Sequence, residues 1–346
     1  MLALKVSFKD AEKMRRLLIE KALFDSKFEI AKDTDSIYFP IVKKFAIPEG
    51  SIIVSKALAL REGKKDWKGI LIERKILTKK DSQEMASSFD SMGGIAVMEI
   101  PDGLTHKERK IGAIFLECHP NFKTVAKKTS AVKGEFRVKG LKVIAGKKSL
   151  VTTYKESGGT FEIDLGKVYF SPRLSFERER IASQVRKGEN VLALFAGAGF
   201  YPVIIAKKQP KCKIVAIELN PIGVKFMEKN VRSNKVENQI KVIEGDVKKV
   251  LLKPKFKGWA SRAIMPLPHL AHEFLGDAIN STAKNGIIHF YHIPKGEMPD
   301  AFGDAGKKVF AACKKAGRKF RIISRRVVKT YAPHVDEVVV DFKLTN

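Results

Sequence analysis

The chain has 346 residues, enough for two or three domains at about 150 residues each. Apolar residues at 44% and charged residues at 30% describe a folded chain and exclude a disordered one. With 66 Lys and Arg against 38 Asp and Glu, the net charge is +28, which points to a polyanionic partner, nucleic acid or an anionic membrane surface. No apolar run approaches the roughly 20 residues of a spanning helix, so membrane insertion is not expected. The N-terminal stretch MLALKVSFKDAEK lacks the apolar core of a secretory signal. Cys118, Cys212 and Cys313 are too scattered for a disulfide framework or a zinc motif, and the expectation is a cytoplasmic protein.

In chain order, residues 1–50 read β-α-β-β. Leu4–Phe8 alternates like a half-buried strand, and Asp10 is placed to cap a helix carrying Met14, Leu17, Leu18 and Ala22 at helical spacing. Phe28–Ile30 and Ile37–Phe39 flank the polar turn Lys32–Asp35 and suggest a hairpin. Residues 51–170 form a mixed α+β region. It has a strand at Ala96–Ile100, a helix at Thr105–Leu116 with a Thr105/Glu108 capping box, and a hairpin around Ser157-Gly158-Gly159. From 171 to 346 helices and strands alternate, with strands near 190–194, 213–217, 240–243, 262–265 and 287–291 and a helix at 268–283. That alternation predicts a doubly wound, mostly parallel sheet. The last two strand-like runs, Phe320–Val328 and Glu337–Phe342, are joined by so short a link that they must pair antiparallel.

The strand at 190–194 runs into Phe195-Ala196-Gly197-Ala198-Gly199 just before a helix, where glycines let the backbone turn tightly and approach a ligand. A structural βα turn uses the same residues. The next strand, however, ends in Glu218, where a carboxylate accepts from ribose hydroxyls, and Asn220-Pro221 opens the following helix. A third strand ends Glu244-Gly245-Asp246, placing an acid where an adenine amino group donates. Singly each acid reads as a helix cap; in order, on successive strand ends, the three positions read as a nucleoside site. The glycine loop lacks a full G-x-G-x-x-G and a Walker lysine, which weakens dinucleotide and triphosphate readings.

F-A-G-x-G, then E-x-N-P, then G-D resembles the class I S-adenosylmethionine-dependent methyltransferases, a Rossmann-like fold with an antiparallel terminal strand. Val132–Arg137, Val168–Leu174, Glu177-Arg178 and Thr330–Pro333 together resemble the archaeal and eukaryotic tRNA guanine-37 N1-methyltransferases from about residue 130 to the C-terminus. Residues 1–50 are similar, more loosely, to that family's tRNA-elbow-binding domain, which makes 51–170 an RNA-binding and linking domain and 171–346 the catalytic domain. The resemblance implies S-adenosyl-L-methionine as cofactor, held by Phe195, Gly197, Gly199, Glu218, Leu219, Asp246 and Val247. It implies Glu177 as the base that removes the guanine N1 proton and Arg137 as the group that stabilises charge on O6. Tyr169, Arg178, Lys133, Pro266 and Pro268 would contact the substrate. The bland reading of Glu177 is a helix ion pair with Arg180, and that of Arg137 is one phosphate contact among many. Where the family has an acid near the end of the first strand this chain has Ala193, and where it has Asn-Leu-Pro or Asn-Pro-Pro after the fourth strand this chain has Met265-Pro266-Leu267-Pro268.

Two basic runs support an RNA partner independently. Residues 121–150 hold nine Lys or Arg against Glu135 alone, and 306–329 hold ten and no acid. The pairs His269/His272 and His289/His292 lack a third ligand, so packing or surface roles are expected and no metal. Nothing in the sequence asks for an obligate protein partner. Competing readings are a wyosine-pathway enzyme acting at the same position, by carbon methylation of a tricyclic precursor or by aminocarboxypropyl transfer, and a non-catalytic tRNA-binding protein.

Overall fold

The computed structural model describes residues 1–47, 50–60, 66–133, 138–296 and 300–346, which divide into two compact units, Met1–Lys75 and Ile76–Asn346. Among the described residues no helix is long and apolar enough to cross a membrane.

The first unit contains β1 (Leu2–Ser7), α1 (Ala11–Glu20), β2 (Ala31–Lys32), β3 (Ser36–Pro40), β4 (Ser51–Ser55) and α2 (Trp67–Glu73). The strands pair antiparallel in the order β2-β3-β1-β4. Met14 and Leu18 of α1 bury against Leu4, Val6, Ile37 and Phe39 of the sheet, as the helical spacing requires. Asp10 precedes α1 but caps no amide. Its backbone is already helical, which aims the carboxylate away from the first turn, and it accepts from Ser7 Oγ at 2.8 Å instead. The expected hairpin is present with a shorter first strand. Asp33 accepts from the Asp35 and Ser36 amides at 3.1 and 2.8 Å, so the turn closes at once and pairing begins at Ala31 opposite Tyr38. Phe28 and Glu29 instead meet Leu60 and Ala59. Because β4 lies along β1, the sheet continues past residue 50.

The second unit opens with α3 (Lys79–Glu84), β5 (Asp90–Met92), β6 (Ile95–Met98), α4 (Glu108–Cys118), β7 (Thr124–Lys133) and β8 (Val138–Gly146), its strands forming a sheet in the order β5-β6-β7-β8. The expected Thr105/Glu108 capping box does not form. Residues 102–107 make a 3-10 turn, and the buried Glu108 carboxylate is drawn to Lys127 and Lys142, each at 2.5 Å. A true capping box stands at Thr78/Asp81, unread in the sequence. The hairpin β9 (Val151–Glu156) and β10 (Gly159–Asp164) turns on Ser157 and Gly158, both at positive φ, as its sequence requires.

Then follow α5 (Ser175–Gln184), β11 (Asn190–Leu194), α6 (Phe200–Lys208), β12 (Lys213–Glu218), α7 (Pro221–Ser233), β13 (Ile240–Glu244), α8 (Val247–Leu251), β14 (Ala260–Met265), α9 (Leu275–Ser281), β15 (Thr282–His292), α10 (Ala301–Lys315), β16 (Phe320–Ala332) and β17 (Val335–Leu344). They build a seven-stranded sheet in the order β13-β12-β11-β14-β15-β17-β16, parallel except at β17, which runs antiparallel to both neighbours. Val191 and Ala193 of β11 bury on one face and Leu192 and Leu194 on the other, so the sheet carries a core on each side. The expected helix at 268–283 is shorter. Pro266 and Pro268 cannot supply helical amides, residues 271–274 form a 3-10 turn, and α9 ends where β15 begins.

Candidate active site

The strand order reverses between β11 and β14, and the carboxyl ends of the strands beside such a switch point are where an open α/β sheet leaves a crevice. A cavity of about 280 Å³ lies there. Phe195, Gly197, Glu218, Leu219, Asp246, Val247, Tyr169, Arg178, Pro266 and Pro268 all line it, so ten of the residues singled out in the sequence meet in one place. Gly199 stands beneath it. There φ is +88° and a Cβ would come within 2.8 Å of Met227 Cγ, so glycine is needed both for the turn and for helix packing. Gly197, at φ +56°, has nothing closer than 3.9 Å to where a Cβ would sit. Its neighbour Phe195 takes φ 56° despite its side chain, a strained conformation of the kind that gathers at ligand sites.

Glu218 ties the loop together. Its carboxylate accepts from the Gly197 amide at 2.7 Å and the Asn220 amide at 2.8 Å. Burial nevertheless pushes its carboxyl above the usual range, with the amides opposing that shift. Asn220 caps α7 through the Ile222 amide at 3.0 Å and donates to the Lys167 carbonyl, with Pro221 as the first helical residue. Asp246 lines the cavity and also caps α8 through the Lys248 amide at 2.8 Å.

Arg178 is 4% exposed and holds Glu156 through two 2.6 Å bonds, with Phe170 and Phe200 beneath its guanidinium. This fork pins the β9–β10 hairpin to α5. Glu177, 3% exposed, does not line the cavity. It accepts from Tyr291 Oη at 2.6 Å and from Arg180 at 2.7 and 2.9 Å, so the ion pair weighed as its bland reading does form. Behind it runs a buried polar chain. Arg180 reaches Asp341 at 2.6 Å, Asp341 meets His289 Nδ1 at 2.6 Å, and His289 Nε2 meets Arg262, which also holds Glu189. Since Arg262 can only donate, His289 Nε2 is the acceptor and its Nδ1–H faces Asp341. Burial pushes the His289 pKa down, against the pull of Asp341. Burial raises Asp341, but His289 and Arg180 outweigh it and hold the carboxyl at about 2. Arg137 and the Lys133 side chain lie outside the described residues.

Lys329, Tyr331, Glu337, His269 and Ile293 also line the cavity. Tyr331 stands within a segment already noted, and Lys329 within a basic run. Glu337 went unread because it stands in an otherwise largely apolar strand, beside Asp336. Burial raises its carboxyl, opposed by Lys329 at 3.2 Å. Of the first basic run, Lys127 and Lys142 are spent on Glu108 and Lys128 on Glu99, so part of that charge is structural.

Family models match three successive segments: the tRNA methyltransferase 5 N-terminal domain over residues 3–49, the TYW2 N-terminal domain over 69–149 and the TRM5/TYW2 methyltransferase domain over 152–323. The tRNA (guanine(37)-N(1))-methyltransferase Trm5b of Pyrococcus abyssi is 33% identical, with 99% of both chains covered. The Trm5b of Methanocaldococcus jannaschii is 34% identical, over 99% of this chain and 98% of its own. A solved complex of aTrm5 and tRNALeu superposes at a TM-score of 0.70, with 31% identity and all of both chains covered. Likeness over the whole length, carried on the same fold, means that this chain belongs to the tRNA (guanine(37)-N(1))-methyltransferase family.

Proposed function

We propose that this chain transfers a methyl group from S-adenosyl-L-methionine to N1 of guanosine 37 of tRNA. The observation that carries the reading is the cavity at the switch point, which gathers the Gly197 loop, Glu218 at the end of β12, Asp246 just after β13, and Tyr169 and Arg178. The residues fit the cofactor. Gly197 leaves its side of the cavity open, Glu218 is fixed at the end of β12 where a ribose hydroxyl would donate, and Phe195, Leu219 and Val247 offer apolar surface for adenine. When bound, the cofactor supplies an electrophilic methyl group.

Guanine N1 carries a proton and no free lone pair, so methylation needs a base and stabilisation of charge on O6. Glu177 takes the proton in this reading, and Arg137 serves O6. Glu177 is held by Arg180 and Tyr291, next in sequence to the lining residue Arg178, so in this reading the extruded base comes to a fixed carboxylate. Lys133, Pro266 and Pro268 contact the RNA or the base, and the N-terminal unit reads the tRNA elbow. Unmodified tRNA incubated with the protein and S-adenosyl-L-methionine, then digested and analysed by nucleoside mass, should gain one methyl group at guanosine 37. An aminocarboxypropyl adduct would assign the chain to wyosine synthesis, and an unchanged nucleoside together with tight tRNA binding would make it a binding protein.

A further inference from the structure

Glu177 accepts from two side chains of different origin. Arg180 belongs to the same helix, α5, and divides itself between Glu177 and Asp341. Tyr291 comes from β15, so its 2.6 Å bond to Oε1 is the direct hydrogen bond from the sheet to this carboxylate among the described residues. Arg326 of β16 stands 3.6 Å from Oε2 and makes no hydrogen bond through its Nε. Behind Tyr291 is Tyr201 of α6, whose hydroxyl meets Tyr291 Oη at 3.2 Å, with the two rings edge to face at 6.5 Å. A carboxylate only accepts, so Tyr291 gives its single hydrogen to Glu177, and Tyr201 gives its own to Tyr291. Burial pushes both hydroxyls above the usual tyrosine range, so both keep those hydrogens.

Tyr201 and Tyr291, 7% and 1% exposed, belong to the apolar core that holds Ala193, Ile264 and Val339. Phenylalanine would fill that space without burying a hydroxyl, and charge balance does not ask for the pair, because Arg180 already neutralises Glu177. What the hydroxyls supply is direction. Tyr201 lines the switch-point cavity, and its helix starts directly from Gly199 of the glycine loop. Arg180, Asp341, His289, Arg262 and Arg326 do not line it. Of the side-chain links that meet at Glu177, the tyrosine pair alone among the described residues ends at the cavity wall. It fixes the carboxylate relative to the helix that carries the glycine loop.

We propose that Tyr291, backed by Tyr201, is a positioning residue for the base: it aims the Glu177 carboxylate for proton transfer and touches no substrate itself. The proposal rests on the guanosine-37 reading and on Glu177 as the base. Single-turnover methyl transfer to unmodified tRNA, at saturating tRNA and cofactor, tests it, with both dissociation constants measured alongside. Tyr291→Phe should slow transfer by about 10- to 100-fold, the range for a hydrogen bond to a charged group, with both dissociation constants near their parental values. Tyr201→Phe leaves Tyr291 able to donate and should slow transfer by about 2- to 10-fold. In a Glu177→Gln background both changes should leave the residual rate as it is, because an amide takes no proton however it is aimed. If Tyr291→Phe does not fold, Tyr201→Phe carries the test in both backgrounds. Parental rates in the folded phenylalanine variants overturn the proposal. Equal slowing in the two backgrounds overturns it too, since that is the mark of a packing role. So does weaker tRNA or cofactor binding at an unchanged saturating rate. Two results reach further back and take the proposal with them. A Glu177→Gln enzyme at the parental rate overturns the base assignment, and a parent that leaves guanosine 37 unmethylated overturns the function.

Discussion

Tyr291 and Arg180 hold Glu177 in one orientation, which suits the role proposed for it as the base that takes the N1 proton. Glu177→Gln keeps the shape and loses proton acceptance, so the single-turnover rate should fall by roughly 10²–10⁴-fold with tRNA and cofactor binding little changed. A parental rate would mean that another group takes the proton. Glu218→Ala removes the acceptor for two amides, and if the proposed ribose contact holds, cofactor affinity measured by titration calorimetry should drop. Asp341 allows a sign to be worked out. Its carboxyl is depressed from 3.8 to about 2, so its contribution to stability is complete above pH 3.8 and is lost as pH falls through about 2. The shift corresponds to about 2 kcal/mol. Asp341→Asn should lower stability by roughly 3 kcal/mol at neutral pH, because Arg180 and His289 lose a buried partner. It should also flatten the acid dependence of urea unfolding between pH 4 and 2.

The helix α10 and the edge strand β16, with the link between them, carry the second basic run. Lys307, Lys314, Lys315, Lys319, Arg321 and Arg325 are exposed, whereas Arg326 lies over the Phe176 ring and Lys329 pairs with Glu337. An exposed cation that neutralises a phosphate releases a counterion, and each lost contact should reduce the salt slope of tRNA affinity by about one. Replacing Lys314, Lys315, Lys319, Arg321 and Arg325 by Gln should therefore flatten the plot of affinity against salt markedly. The same change at Lys127 and Lys142 should act on stability through Glu108 and leave the slope near its parental value. An unaltered slope in the first variant would place the phosphates elsewhere.

At the scale of the whole molecule the chain separates into Met1–Lys75, with its own sheet and core, and the remainder. If the first unit reads the tRNA elbow, deleting Met1–Lys75 should weaken binding of full-length tRNA much more than binding of an anticodon stem-loop, which has no elbow. Equal losses on both substrates, measured by filter binding, would argue for a different role.

Much of this protein was legible in its sequence because the information is local. Turn glycines, the Asn220-Pro221 helix start, the Ser157-Gly158 hairpin and the β/α alternation each follow from backbone geometry within a few residues. Together they pointed to the doubly wound sheet and to the Gly197 loop and strand-end acids, while the rest of the expected lining came from the family resemblance. What local patterns cannot carry is competition for partners. Thr105 and Glu108 have the spacing of a capping box, yet two lysines from β7 and β8 outbid the cap. Asp10 sits at a helix start and turns instead to Ser7. The chain from Glu177 through Arg180, Asp341 and His289 to Arg262 spans four separate elements, and nothing in any one of them announces it. Glu337 is the sharpest case. In sequence it is the acid that opens a strand, and only the pairing of β16 with β17 turns it, with Lys329, toward the cavity. Sequence alone determined the β-α-β-β start, the Ser157-Gly158 hairpin and the order of the alternating helices and strands from residue 171 onward. Tertiary structure decided which charged side chains are consumed in holding the fold and which are left facing the site, because burial and pairing depend on what the rest of the chain brings alongside.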